Sequence, residues 1–365
     1  MPSVETSRTG GSLAADWSSI LMDVLGWQAL LAAEMSPNKG LALLRELGSL
    51  REGWAPAIQR HPILNDKERE RARDLQPDKV AKAVAAGIHV VTRESFPEPM
   101  AALRYPPALF AWGDFECTRT PCLAIVGTRA ATTYGKAAAM KFAEAFARAG
   151  VTVVSGGALG IDAAAHRGAL SHSGKTIAVL AGGIEQVYPA VHAGLFAQIR
   201  GSGCLVSAHA IGSRPNGFRF LGRNHLIAGL STGVVVVEAP ERSGALSTAH
   251  AANEQGKQVF VVPSNIDNAN FKGSHALIRD GATLVDHPDQ VLETIGLTSV
   301  AAQPMLPDLS PIGERIVKAI SDSPLTPEFI VERTGLDTPE VMAELTMLEI
   351  DGRVIRDGGK YAVRS

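Results

Sequence analysis

The chain has 365 residues, 45% of them apolar, which is more than one ordinary domain needs and enough for a large buried core. A formal net charge of -2 excludes a globally basic nucleic-acid coat, so any basic patch must be read locally. Three cysteines, Cys117, Cys122 and Cys204, lack metal-ligand spacing and point to reduced, buried thiols in a cytoplasmic protein, and no apolar run approaches the roughly 18–20 residues of a membrane span.

The first fifteen residues are small, polar and without an apolar signal core, and are expected to be a disordered tail. From 16 to 84 the stretches "SSILMDVLGWQALLAAEM", "NKGLALLREL" and "NDKERERARDLQPDKVAKAVAAG" carry helical apolar spacing and predict a helical domain. At "GIHVVT" the period changes. Short β-branched runs follow ("CLAIVG", "VTVVSGG", "TIAVLAGG", "CLVSAHA", "GVVVVEA", "QVFVVP", "ATLVDH"), with starts recurring about every 25–29 residues, the length of a strand, a helix and two turns. This predicts an α/β core over 85–297, doubly wound, with an all-parallel sheet covered by helices on both faces. The stretch 298–311 holds three prolines and no periodicity and reads as a linker. Beyond it, 312–365 shows three short helical patterns, two opened by Thr-Pro, and a terminal "RVIRDGGKYAV" hairpin, which together predict a winged helix. The helix "PEVMAELTMLEIDG" that would enter a groove carries Glu340, Glu344, Glu349 and Asp351 and no cation before Arg353. A helix of that charge repels phosphates, so this domain is expected to serve a protein-interaction or regulatory role.

Ligands of an open parallel sheet sit at the carboxyl ends of its strands, so the residues just after each run are the informative ones. Gly127, Thr128 and Arg129 follow the first parallel run, where glycine lets the backbone approach a ligand and arginine offers a planar donor fork. Ser155, Gly156, Gly157 and Gly160 open a helix, whose free N–H groups favour an anion. Ser243 and Gly244 follow the strand that ends at Glu238, and Lys272, Gly273 and His275 precede a further helix. Neither glycine loop is G-x-G-x-x-G; the signal is that several loops converge on one sheet edge, which predicts an anion site. "HSGKT" at 172–176 resembles the end of a phosphate loop, but Ala169 stands where the first glycine belongs, and Lys175 precedes a strand instead of opening a helix. Asp162 and Glu238 are expected to brace loops, and no nucleophile, metal or paired-carboxylate pattern stands out. The site is therefore expected to bind, with no catalytic residue, metal or cofactor. In "RPNGFRFLGRNHLIAGLS" (214–231), Arg219 and Arg223 lie four apart on adjacent helical turns, beside Phe218 and Phe220. That composition suits single-stranded nucleic acid: cations for phosphates and an aromatic face for a base. Alternatively, one phenylalanine is core and the arginines brace Glu238 or a partner subunit.

The segments "AIVGTRAATTYG", "VVSGGALGIDAAAHRGAL", "IAVLAGGIEQVYP", "FRFLGRNHLIAGLS", "VVVVEAPERSGALSTAHAANEQGKQVFVVP" and "GSHALIRDGA", in this order over nearly all of 123–282, resemble the DNA-processing protein A (DprA, or Smf) family of bacterial recombination mediators. The resemblance implies an extended Rossmann-like, doubly wound domain with a mainly parallel sheet, an N-terminal helical (SAM-like) domain and a C-terminal winged helix. It also implies a protein that binds and protects single-stranded DNA, dimerises, and helps load RecA during natural transformation, with single-strand binding protein as a further partner. Carried over residue by residue, the family's pocket would comprise Arg129, Ser155 to Gly157, Arg219, Phe220, Arg223 and Asn224. Thr128 stands where serine is commoner, His225 where a further arginine is frequent, and Leu159 where a cation is usual, so this pocket carries fewer cations. The apolar stretch Leu226 to Leu230 is expected to support a homodimer. Two other classes share the architecture. One is an enzyme similar to the phosphoribohydrolases, whose P-G-G-x-G-T-x-x-E signature is absent here, and the other is a nucleotide-binding sensor without DNA.

Overall fold

The β-branched runs pair into one nine-stranded sheet: β1 (Ile88–Thr92), β2 (Ala108–Gly113), β3 (Cys122–Gly127), β4 (Thr152–Ser155), β5 (Thr176–Leu180), β6 (Cys204–Ser207), β7 (Gly233–Glu238), β8 (Gln258–Val261) and β9 (Thr283–Leu284). The computed structural model describes residues 10–47, 54–100, 103, 106–297, 309–321, 323–350, 353–357 and 359–363. It divides into two units, Met1–Thr298 and Ser299–Ser365, so the stretches 16–84 and 85–297 share one unit. The strand order is β1-β2-β6-β5-β4-β3-β7-β8-β9. From β6 to β9 every pairing is parallel, and β1 and β2 add an antiparallel edge through β2–β6.

The sheet is thus mainly parallel, as the family resemblance implies, where the spacing of the runs alone gives an all-parallel one. Strand β2 escapes sequence reading because "ALFAWG" contains no β-branched residue. Between the strands run α6 (Thr133–Arg148), α7 (Ile161–Ser171), α8 (Ala193–Ser202), α9 (Gly217–Leu230), α10 (Gly244–Glu254), α11 (Lys272–Arg279) and α12 (Pro288–Thr294). One sheet face packs Val126, Val154, Val179 and Val236 against α9, α10 and α11. The opposite face packs Leu123, Ile125, Val153 and Val235 against α6, α7 and α12. Strand residues of alternate parity therefore feed two separate cores, which is why these strands are apolar throughout.

Ahead of the sheet lie α1 (Gly10–Ala32), α2 (Pro37–Leu47), α3 (Trp54–Arg60), α4 (Asp66–Arg73) and α5 (Pro77–Ala85). Helix α1 begins at Gly10, so the expected tail is helical from there, and residues 1–9 lie outside the described set. The charged stretch 65–87, expected as one helical pattern, breaks into α4 and α5. Pro77 opens α5, and Gln76 before it takes a left-handed conformation at φ 47°. Val24 and Leu31 of α1 pack with Phe110, Leu180 and Phe196, which joins these helices to the sheet.

Leu226, Ile227, Ala228 and Leu230 are all buried in their own chain's core. They are not free for a partner, which removes the sequence argument for dimerisation. The three thiols are buried beside one another in structure, with Cys117 and Cys204 Sγ atoms 3.9 Å apart and the Cys122 thiol pushed up to about 12 by burial. Lys175 pairs with Asp114 at 2.7 Å at the amino end of β5, so "HSGKT" is no phosphate loop.

The second unit consists of α13 (Pro311–Ile320), α14 (Pro327–Thr334), α15 (Thr338–Ile350) and the hairpin β10 (Val354–Asp357) and β11 (Lys360–Val363), around Ile316, Ile330, Val341, Leu345 and Tyr361. This is the expected winged helix. Residues 298–308 of the expected linker lie outside the described set. No helix among the described residues is long and apolar enough to cross a membrane.

Two histidines, one buried and one half-buried, make the fold acid-sensitive. His166 on α7 is fully buried against the Thr176 hydroxyl at 2.7 Å, and burial pushes its pKa down to about 3. Burial pushes that of His209 down to about 4. Both titrate near 6.5 in an unfolded chain, which then binds protons that the folded chain refuses, so stability falls as pH drops below 6.5. Each unit of pH inside that window should cost roughly 1.4 kcal/mol per histidine. Urea midpoints at pH 7 and pH 5 test this; the difference should shrink in a His166→Asn variant, and an identical slope in that variant would refute the assignment.

Candidate nucleic-acid interface

The strand order reverses between β3 and β7: the chain runs from β3 outward to β6, then crosses to β7 and proceeds the other way. At such a switch point the loops leave the sheet in opposite directions and open a crevice. One cleft occupies it, a second over the ends of β4 and β5 adjoins it, and the two share Arg129, Ala158 and Phe220 as a wall.

The loop after β3 is held from below by Glu238, the last residue of β7. Glu238 is fully buried, and its carboxylate accepts from the Thr132 N–H and hydroxyl and from Asn270 Nδ2 at 2.8 Å. Its backbone carbonyl accepts from the Thr128 N–H at 2.7 Å. Glu238 is therefore a brace, as expected, and fixes Thr128 and Arg129 at the cleft mouth. Gly160 sits at φ 79°, and a side chain there would meet the Thr128 carbonyl at 2.3 Å, so the loops after β3 and β4 touch only because this residue is glycine.

Helix α9 supplies the far wall. Asn216 caps it, its side chain accepting from the Arg219 N–H at 3.0 Å. One turn later the Phe220 ring lies against two guanidinium groups, with Arg129 Cζ 4.8 Å and Arg223 Cζ 5.3 Å from its centroid and Tyr188 edge-on at 6.4 Å. Arg223 is only 7% exposed; it donates to the carbonyls of Gly156 at 2.7 Å and Val179 at 3.3 Å. Arg223 lines the larger cleft, and its buried Nε has no hydrogen-bond partner among the described residues. Asp162 is also buried and accepts from the Ala158 N–H. Burial pushes the Asp162 carboxyl up and the Arg223 guanidinium down, and the attraction between them opposes both shifts. The start of α10 closes the cleft: Ser243 caps it, Gly244 is open, and Asn224 Nδ2 donates to the Gly244 carbonyl at 3.1 Å.

Of the residues singled out from sequence, Gly127, Thr128, Arg129, Gly156, Phe220, Arg223, Asn224, Ser243 and Gly244 line the clefts. Ser155, Gly157, Arg219, Lys272 and Gly273 do not. Ser155 is fully buried and donates to the Ile125 carbonyl at 2.7 Å, and a side chain at Gly157 would strike Phe196. Gly273 lets α11 close on the loop after β7, 2.6 Å from the Pro240 carbonyl to a built Cβ, and Lys272 beside it is exposed. Arg219 turns away and pairs with Glu34 at 2.6 Å.

Sequence reasoning missed Arg242, exposed in the cleft beside the α10 cap Ser243, and Gln186 and Tyr188 in the neighbouring cleft. Arg242 was accessible to it, since it directly precedes the helix cap in "ERSGA". Among the described residues the linings contain no histidine or cysteine, and Asp162 is their one carboxylate. The arrangement offers guanidinium groups and a helix N-terminus to an anion and an aromatic face beside them.

Known proteins show the same architecture. Residues 87–296 match the family described as DNA recombination-mediator protein A, and residues 300–360 match the DprA winged helix domain. Protein Smf of Escherichia coli (strain K12) is 38% identical over 275 residues, covering 73% of this chain and 74% of that protein. DNA processing protein A from Streptococcus pneumoniae superposes with a TM-score of 0.61 at 30% identity, over 73% of this chain and 95% of that one. DNA processing protein A from Helicobacter pylori, studied for its single-stranded DNA binding mode, superposes with a TM-score of 0.52 at 30% identity, over 57% of this chain and 97% of that one.

Proposed function

The chain belongs to the DNA recombination-mediator protein A (DprA/Smf) family, and from that premise we propose that the crevice between β3 and β7 holds single-stranded DNA. The observation that carries this reading is the Phe220 ring with the Arg129 and Arg223 guanidinium groups 4.8 and 5.3 Å from its centroid where the two clefts meet. Cations beside a partly exposed aromatic ring serve a strand with unstacked bases, whereas a duplex hides its base faces. In this reading Arg129, Arg242 and Arg223 take phosphates along with the start of α10. The role is binding, without catalysis. The bound strand is protected and passed to RecA during natural transformation, with single-strand binding protein as a further partner, by a cytoplasmic homodimer; family membership is what supports these finer roles.

The winged helix takes no DNA in this reading. Helix α15 turns Met342 and Met347 to solvent, 40% and 54% exposed, beside Glu340 and Glu349. Exposed methionines among carboxylates suit a protein partner better than a phosphate backbone.

Oligothymidylate binding measured against salt tests the proposal. Three or four phosphate contacts at roughly -0.7 each predict a log–log slope of about -2 to -3. Replacing Arg129 and Arg242 together by alanine should flatten that slope by about 1.4, while a chain ending at 298 should bind as the parent does. An unchanged slope in the double variant, or loss of binding on truncation, would overturn it.

A further inference from the structure

Arg219 is a cation that the clefts do not receive. Its side chain is 15% exposed, its Nε and Nη2 donate to Glu34 Oε1 at 2.7 and 2.6 Å, and its Nη1 donates to the Arg214 carbonyl. Pro215 and Phe220, close to it in sequence, both line a cleft, while Arg219 itself faces Glu34.

Glu34 itself occupies an unusual place. It follows the end of α1 with φ at 49°, in the left-handed region that glycine or asparagine adopts with little strain and glutamate does not. The backbone alone would select a different residue, and what the glutamate supplies is the carboxylate on Arg219. Other charges nearby do not replace it. Arg71 stands 3.9 Å from Oε2 but is committed by two hydrogen bonds to the Ala33 carbonyl, and His209 is kept neutral by burial.

We propose that Glu34 sets the affinity of the DNA site: its carboxylate holds on Arg219 the place a backbone phosphate would take, and a strand must displace it to gain that cation. The inference rests on reading the crevice as a single-strand site. A carboxylate and a phosphate present similar paired acceptors to a guanidinium fork, so the exchange replaces one charge-assisted contact by another and keeps the net gain small. Removing the carboxylate removes the competitor.

The test uses the full chain with Glu34→Gly and Glu34→Asn, both suited to the left-handed backbone, each also combined with Arg219→Ala, with melting followed in every case. Both single variants should bind oligothymidylate about fivefold more tightly near 0.1 M salt, with a slope steeper by about 0.7, the worth of one added phosphate contact. In the Arg219→Ala background neither change should appear. Equal or weaker binding, an unchanged slope, or a gain that persists without Arg219 would each overturn the role of Glu34 while leaving the single-strand site standing. A parent protein that showed no salt-dependent oligothymidylate binding would instead remove the site and this inference together.

Discussion

Arg223→Ala should cost about 3–5 kcal/mol of folding stability, because it leaves Asp162 buried without the cation that offsets its desolvation. The carbonyls of Gly156 and Val179 lose a donor in the same step. Gly156→Ala should have a similar effect by another route, since its new Cβ would fall 1.6 Å from Arg223 Nη1 and expel the guanidinium. Strand binding should disappear in both, even at temperatures where the variants remain folded. Arg223→Lys keeps a charge and can still donate to the two carbonyls, which both accept from Nη1, but loses the planar guanidinium over Phe220, and should fall between. Urea titration with parallel DNA titration checks this. An alanine variant within about 0.5 kcal/mol of the parent, the usual range for surface changes, would show that the Asp162 environment tolerates the loss.

Phe220→Ala should separate the two kinds of contact. The ring is only partly buried and lines both clefts, so melting should change little. Affinity for oligothymidylate should fall by about 1–3 kcal/mol, the usual worth of a base stacked on an aromatic ring, with the salt slope unaltered. A flattened slope would mean instead that the ring acts by holding Arg129 and Arg223 in place. A large fall in melting temperature would make it a core residue.

Much of the fold was legible because the chain writes parallel strands as short β-branched runs at a nearly fixed interval, each ending in a loop with its own glycine or hydroxyl. The strand ends in turn pointed to Gly127, Thr128, Arg129, Ser243 and Gly244, which do line the crevice. Strand β2 was silent for lack of β-branched residues, and with it went the antiparallel edge. The arginines of α9 show the deeper limit. Sequence gives their charge and spacing but not their partners, and Glu34 lies 185 positions from Arg219. Arg223 reads as a surface cation by composition, yet two backbone carbonyls and Asp162 account for its burial. Long-range pairing of this sort depends on which loops the sheet brings together, and no local pattern encodes it.

The burial of Cys117, Cys122 and Cys204 has a practical side. All three lie within one core cluster, so an alkylating reagent in solution meets no native thiol until the sheet opens. The rate at which the native protein consumes such a reagent is therefore a clock for opening at the amino ends of β3 and β6, read without any probe being attached. Conversely, a cysteine introduced at an exposed position such as Phe218 would label alone, giving a single dye site beside the crevice against a background of silent native sulfur.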